Sequence, residues 1–370
     1  MPPAPPAVTV DLPGRSYAVH FEPLAALAMH LREAGLEAGP ALVITDETVG
    51  PLYLDAVCDG LGAAGWRPHC TAVPAGEASK SLDQLEALYD WALGLGINRR
   101  TPVVALGGGV VGDLAGFAAA TLLRGLPLVH LPTTVIAQVD SAIGGKTGVN
   151  HAAGKNLVGA FHQPRLVLAD PATLATLPAR EVRSGLAEAV KHALVADAPL
   201  LDRLDDQWDR LWDGDVDALG PLLRDAAAVK ARIVAADEVE AGERAVLNFG
   251  HTFGHAVERE AGYGRFTHGE AVAVGMRAAL HLSASVRDGR VAGDALPAPF
   301  DRADRVLARF DPPPLDGLSN RQLVEAMTTD KKRTAGGVRF VVLDEIGAAR
   351  LAADVPEAWV EAAWDYARSG

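Results

Sequence analysis

The stretch TPVVALGGGVVGDLAGFAAATLLRG, residues 101–125, decides how the first half of this chain is read. Residues 103–106 form a short apolar run that ends in a glycine triplet, the pattern of a buried strand feeding a turn. An alanine-rich helical segment follows directly. Gly107, Gly109 and Gly112 satisfy the G-x-G-x-x-G spacing. Glycines at this point let backbone N–H groups and a helix N-terminus approach a pyrophosphate with no Cβ in the way. A tight turn that needs φ > 0 gives the same spacing. No acidic residue stands about 20 positions later, as a dinucleotide fingerprint expects, so any binding geometry departs from the usual one.

Working outward, ALVITD (41–46) reads as a buried strand and the segment from Thr48 to about Gly65 as a helix. PHCTAVPAG (68–76) reads as a short strand and turn. SLDQLEALYDWALGLG (81–96) has leucines near helical spacing, with Ser81 or Ser79 as cap and Gly94 and Gly96 as stop. LPLVHLPTT (126–134) and RLVLAD (165–170) are further strands. Asp46 at one strand end can accept hydrogen bonds from ribose hydroxyls, and Thr133 and Thr134 at another can donate to ribose or phosphate. Strand–helix repetition with short links predicts an α/β domain with a mostly parallel, Rossmann-like sheet.

After about Pro178 the texture changes. REVRSGLAEAVKHALVAD, PLLRDAAAVKARIVAADEVE and HGEAVAVGMRAALHLSASVR are long amphipathic helices, and VRFVVLDEIG (338–347) looks like a hairpin. The expected organisation is an α/β domain over 1–178 and a mainly α-helical domain over 179–370. The chain has 370 residues, enough for two cores. With 34 basic and 47 acidic residues its formal charge is -13, which argues against a general nucleic-acid binder. Two cysteines, Cys58 and Cys70, make no disulfide framework and suit a reducing compartment. MPPAPPAVTV has no signal-peptide pattern, and no run of about 20 apolar residues occurs, so a cytoplasmic setting away from membranes is expected.

The basic residues are unevenly divided: 7 lysines against 27 arginines. Where composition has replaced most lysines, a retained one is a candidate for work that a compact ammonium does and a guanidinium fork does not. Lys146, Lys155 and Asn156 lie in a polar, glycine-rich segment, 138–156, that is long for an uninvolved loop. Asp140 there can fix a sugar hydroxyl. Arg244 and Asn248 are four apart, and Lys230 sits one helix earlier. DKKR (330–333) reads at first as a solvated charge run. Together these groups suit a substrate with a phosphate and a carboxylate.

The segment NFGHTFGH puts His251 and His255 on one helical face, and His268 beyond YGRFTH can fold back to meet His251. The glutamate of H-E-x-x-H is missing, which argues against a zincin-type protease. Glu188 in GLAEAVKH is the best further ligand. Two histidines and one carboxylate leave an open position on a catalytic metal. The alternative is a surface ion pair between Glu188 and Lys191, with the histidines packed in a core.

In order and spacing, GGGVVGDLAGFAAA, LPTT, AQVDSAIGGKTGVN, GKNLVGAFHQP, GLAEAVKH, LNFGHTFGHA and HGEAVAVGM resemble the 3-dehydroquinate synthase family over about residues 40–345. The resemblance implies a homodimeric, NAD+-dependent and Zn2+- or Co2+-dependent cyclase. It would convert 3-deoxy-D-arabino-heptulosonate 7-phosphate to 3-dehydroquinate and phosphate, through transient oxidation, phosphate elimination, re-reduction and intramolecular aldol closure. Glu188, His251 and His268 then match the metal ligands, and His255 a proton-handling histidine. Glu77, Lys80, the turn Gly108, Gly109, Val110, Val111, Gly112 and Asp113, Thr133, Thr134, Lys146, Lys155 and the segment Thr173, Leu174, Ala175 and Thr176 match cofactor contacts. Asp140, Lys191, Lys230, Arg244 and Asn248 match groups that hold substrate hydroxyls and carboxylate. Asn156 and one of Lys331 and Lys332 match phosphate contacts, with Arg124 reaching the phosphate from the partner subunit. All seven lysines fall at motif positions.

Three other readings share parts of this pattern. A related sugar-phosphate cyclase would differ in substrate, a metal-dependent polyol dehydrogenase would consume NAD stoichiometrically, and a catalytically silent scaffold would release no phosphate.

Overall fold

A computed structural model describes residues 7–262, 264–293, 295–331 and 339–369. The chain divides into two compact units, residues 1–177 with 214–239, and residues 178–213 with 240–370.

In the first unit the strands are β1 (Val8–Val10), β2 (Tyr17–Phe21), β3 (Pro40–Asp46), β4 (Arg67–Val73), β5 (Val103–Gly107), β6 (Leu128–Pro132), β7 (Lys146–His151), β8 (Gly154–Phe161) and β9 (Leu166–Ala169). Seven of them form one sheet in the order β1-β2-β9-β6-β5-β3-β4. Only β1 and β2 pair antiparallel in it; the other pairings are parallel. The helices are α1 (Leu27–Glu33), α2 (Gly50–Ala63), α3 (Leu82–Leu93) and α4 (Gly109–Thr121). Ser81 caps α3, its Oγ accepting from Gln84 N at 3.2 Å, as its sequence position predicts. Central strands are apolar on both faces because both are covered. Leu42, Val103 and Ala105 pack with α3 and α4, whereas Val43, Val104 and Leu106 pack with α1 and α2.

From β3 the chain first adds β4 on one side and then β5 on the other. The strand order therefore reverses between Asp46 and Gly107, at the carboxyl ends of β3 and β5. That is the place where open α/β sheets bind ligands.

The segment expected to be a loop, 138–156, has regular structure instead. Ala137–Ser141 is a π-helical turn, and β7 and β8 form an antiparallel hairpin. Its glycines serve strand pairing: Gly148 faces Gly159, and a Cβ on either would meet the opposite backbone within 3 Å.

The second unit holds α5 (Ala179–Ala196), α6 (Ala198–Asp206), α7 (Trp208–Trp212), α9 (His251–Ala261), α10 (His268–Asp288), α11 (Ala298–Ala308), α12 (Asn320–Lys331) and α13 (Glu357–Arg368). The expected hairpin is present as β10 (Phe340–Glu345) and β11 (Ala348–Ala352). A single cut near residue 178 misplaces one element. Helix α8 (Val216–Ala236) packs through Ala227, Ala231 and Val234 on β1 and β2, so it belongs to the first unit. No helix among the described residues is long and apolar enough to cross a membrane.

Candidate active site

In the first unit, α4 starts at Gly109 with no side-chain cap at Gly108. The first amides of a helix lack intrahelical acceptors, so this end presents free donors and the positive end of the helix dipole at the sheet's reversal point. Gly107 serves the turn itself, since a Cβ there would lie 2.7 Å from Val111 Cγ2. Val111 is buried beneath the turn, while Val110, Gly112 and Asp113 are half-buried.

The two threonines after β6 differ. Thr134 Oγ1 accepts from Ala137 N, at the start of the π-turn, at 3.2 Å. Thr133 Oγ1 is buried with no partner among the described residues, although its amide donates to Gly107 O at 3.0 Å. An orphaned hydroxyl beside an uncapped helix start fits a phosphate or ribose group. Asp46 is partly committed: Oδ1 accepts from Thr48 N and Val49 N, each at 2.8 Å.

Lys80 is buried and donates to Asp113 Oδ2 at 2.5 Å. Burial pushes the Asp113 carboxyl up, against the pull of the Lys80 charge. Glu77 Oε1 accepts from Asn150 Nδ2 at 2.7 Å, and Asn150 N donates to Lys80 O at 2.8 Å. Asn150 Oδ1 accepts from Asn156 N at 3.0 Å, with Asn156 at a φ of 57°. The β7–β8 hairpin, carrying exposed Lys146 and half-buried Lys155, is thus tied to Glu77 and Lys80. In the 173–176 segment Thr173 and Leu174 are buried, Ala175 and Thr176 exposed, and Thr176 Oγ1 shares a 2.6 Å hydrogen bond with Tyr53 OH.

Lys230 on α8 donates to both Asp140 O at 2.6 Å and Asp140 Oδ1 at 2.8 Å. The lysine is 5% exposed, so this pair fixes the π-turn with a nearly dry ammonium. Arg124 is exposed, and both it and Leu123 have left-handed φ values, 66° and 51°. Two adjacent residues of that kind store strain of order 1–3 kcal/mol each, and such strain concentrates where a side chain must be aimed.

In the second unit, packing against glycine brings three helices together. A Cβ on Gly269 would lie 1.9 Å from Ser184 O, and one on Gly275 2.1 Å from Gly250 O. These contacts seat α10 against α5 and the start of α9. Gly269 N also donates to Ser184 Oγ at 3.0 Å. Thr267 and Glu270 close a capping box that fixes where α10 begins. Glu188 lies one turn beyond Ser184 on α5, His251 opens α9 and His268 opens α10.

The result is a compact donor set. Glu188 Oε1 is 3.6 Å from His251 Nε2 and 3.3 Å from His268 Nε2. Donors on one tetrahedral zinc ion stand about 3.3 Å apart. His251 Nδ1 donates to Phe249 O at 3.2 Å, which turns the Nε2 lone pair toward Glu188. Burial and the Lys191 charge hold His251 well below its usual pKa, so it is neutral and able to ligate. Burial also opposes charge on His268, but Glu188 and Glu258 outweigh it and push that pKa up to about 10. The carboxylates thus favour a positive charge between Glu188 and His268, proton or metal ion. The donor chemistry fits a divalent ion.

Glu188 also accepts from Lys191 Nζ, in a pair 2% exposed on both sides. The ion pair considered from the sequence exists, but it is buried, where an uncompensated charge is costly. Asn248 Nδ2 donates to Glu240 Oε1 at 2.6 Å, and Arg244 is 1% exposed. His255 is exposed, its ring centroid 5.3 Å from that of His251 and 6.2 Å from that of His268. Lys331 ends the backbone of α12, and its side chain lies outside the described residues, as does Lys332.

Sequence reading missed Glu258, whose Oε1 is 3.6 Å from His268 Nδ1. Its signal was available: 251, 255 and 258 share a helical face. It also missed the Phe249 carbonyl and Glu240, which no motif marks.

The chain matches two family models, "3-dehydroquinate synthase N-terminal" over residues 70–184 and "3-dehydroquinate synthase C-terminal" over 185–333. The chain belongs to the 3-dehydroquinate synthase family. A 3-dehydroquinate synthase from Salinibacter ruber is 51% identical over 371 residues, covering 100% of this chain and 99% of its own. Among solved structures, 2-epi-5-epi-valiolone synthase from Streptomyces hygroscopicus subsp. jinggangensis, with NAD+ and Zn2+ bound, superposes with a TM-score of 0.84 at 31% identity. That match covers 96% of this chain and 98% of the other. A 2-deoxy-scyllo-inosose synthase complexed with carbaglucose-6-phosphate, NAD+ and Co2+ gives 0.86 at 26% identity, covering 99% and 100%.

Proposed function

We propose that this chain converts 3-deoxy-D-arabino-heptulosonate 7-phosphate to 3-dehydroquinate and phosphate, using NAD+ and one Zn2+ or Co2+ ion. The observation that carries the reading is the convergence of Glu188, His251 and His268 beside a buried lysine, in a chain of this family. When bound, the ion supplies Lewis acidity and the nicotinamide a reversible hydride acceptor.

The chain's own residues then bind, orient and move protons. Glu188 Oε1 and the two Nε2 atoms hold the ion. Lys191, pinned by Glu188, directs an ammonium at substrate hydroxyls, with His255 and Asn248 as further proton and hydrogen-bond partners. The N-terminus of α4, Thr133 and the Lys80–Asp113 pair hold the dinucleotide, with Asp46, Glu77, Lys146, Lys155 and 173–176 around it. Asp140, Lys230 and Arg244 take the hydroxyls and carboxylate. Asn156 and one of Lys331 and Lys332 take the phosphate, and Arg124 reaches it from a second copy in a homodimer. Two free cysteines suit a cytoplasmic setting.

Phosphate release from three sugar phosphates tests the substrate. The heptulosonate 7-phosphate should turn over at least about 100-fold faster than sedoheptulose 7-phosphate or glucose 6-phosphate, because only it presents a carboxylate to buried cations. Faster turnover of either sugar phosphate that lacks the carboxylate would move the chain to another branch of the cyclases. Lasting NADH accumulation would make it a dehydrogenase.

A further inference from the structure

Strand β2 alternates faces. Val19 packs toward α8, so His20, in register with Leu168, faces α1 on the other side. Helix α1 delivers His30 to the same spot, 4% exposed. The two imidazoles stack with centroids 3.7 Å apart at 25°. Glu22, just past the strand end, lies against both: Oε2 is 3.1 Å from His30 Nε2, and Oε1 is 3.8 Å from His20 Nδ1. Glu33 Oε2 stands 2.9 Å from the other His30 nitrogen, Nδ1.

This arrangement has a donor–acceptor problem. With its one proton on Nδ1 and donated to Glu33, His30 turns an Nε2 lone pair toward a carboxylate oxygen that also only accepts. Two acceptors at 3.1 Å need a positive charge between them, either a second ring proton or a metal ion. Metal-ligating histidines usually donate their other ring N–H to a carboxylate, as His30 can to Glu33, and here Nε2 faces a second carboxylate while the His20 ring stacks alongside. The ligand atoms of His20, Glu22 and His30 lie within 4.8 Å of one another, and the two contacts to Glu22, 3.1 and 3.8 Å, bracket the roughly 3.3 Å edge of a tetrahedral site. Parallel rings do not converge on one point, so the partly exposed His20 ring must turn to complete the set.

We propose that His20, Glu22 and His30 form a second divalent-cation site, for a borderline ion such as Zn2+ or Co2+, with Glu33 orienting His30. An ion there fastens α1 to β2. It lies in the first unit and shares no residue with the Glu188 set, so it neither needs nor supports the proposed reaction.

The test uses the full chain, stripped with a chelator and dialysed, then titrated calorimetrically with Zn2+ and, in parallel, by visible absorption with Co2+. The unaltered chain should bind two ions. Glu188→Gln and His20→Ala should each bind one, at different sites, and His20→Ala should keep wild-type turnover. Glu22→Gln should weaken the second ion at least about tenfold, and it keeps a side chain of the same shape beside buried His30. Metal added to the Glu188→Gln chain should raise its thermal midpoint, and His20→Ala in that background should abolish the rise. One ion in the unaltered chain overturns the proposal, as does a second ion that either variant binds at wild-type affinity.

Discussion

Lys191 is the residue whose chemistry is most tightly constrained by its surroundings. It is 2% exposed and bonded to a carboxylate that also faces two imidazoles. A guanidinium is wider and rigid, a poor fit for a place where the side chain is this buried. Lys191→Arg should therefore lower kcat at least about 100-fold, while metal content measured by mass spectrometry stays near one ion at the Glu188 set. Near-normal kcat would remove Lys191 from the chemistry. Glu188→Gln should instead lose the ion, with affinity down at least about tenfold and activity with it, read by the same metal analysis and by turnover at saturating Zn2+. His130 on β6 gives a pH signature of a different kind. Burial lowers its pKa to about 4, against an ordinary 6.5. The unfolded chain thus binds the extra proton first, and stability contributed by neutral His130 is full above pH 6.5 and lost as pH falls toward 4. The loss should approach about 3 kcal/mol, and His130→Gln should remove that share of the acid slope in urea unfolding. At this scale the sequence was informative wherever a side chain belonged to a long motif, as at Glu188 and His268. It was silent where a partner is a backbone carbonyl, as at Phe249, because no residue type encodes that.

Among the elements, the close seating of α10 on α5 and α9 creates the donor set. Gly269→Ala would drive a Cβ into Ser184 O, 1.9 Å away. Overpacking of that kind costs about 1–3 kcal/mol, and it should also part Glu188 from His268, so Zn2+ affinity falls together with the unfolding midpoint. A loss of stability with unchanged Zn2+ affinity would show that the helices can separate without disturbing the ligands. The long helices and the parallel strands were legible because their apolar periods are strong and uninterrupted. The β7–β8 hairpin was not: Lys146, Asn150, Lys155 and Asn156 are polar, and Gly148 and Gly159 pack backbone to backbone, so apolar alternation is broken. Helix α8 was read as a helix but assigned to the wrong unit. Its amphipathic pattern says that one face is buried and does not say against which partner.

At the level of the whole molecule, the family sets the architecture and each unit supplies residues to the proposed chemistry. If Arg124 serves a partner's phosphate in a homodimer, mixing inactive Arg124→Ala chains with inactive Lys191→Arg chains should restore about a quarter of wild-type activity, since each mixed dimer holds one intact site. No recovery after subunit exchange would place Arg124 in its own chain's site or outside any. In the proposed reaction one chain oxidises, eliminates and re-reduces without net use of its cofactor. The most direct measurement is phosphate release from the heptulosonate 7-phosphate by the purified chain, with NAD+ far below substrate concentration, while absorbance at 340 nm is followed. Many phosphates should be released per NAD+, with no lasting rise at 340 nm, and chelation should stop release until Zn2+ or Co2+ restores it. Phosphate release limited to the amount of NAD+ added, or undiminished by the chelator, would contradict it.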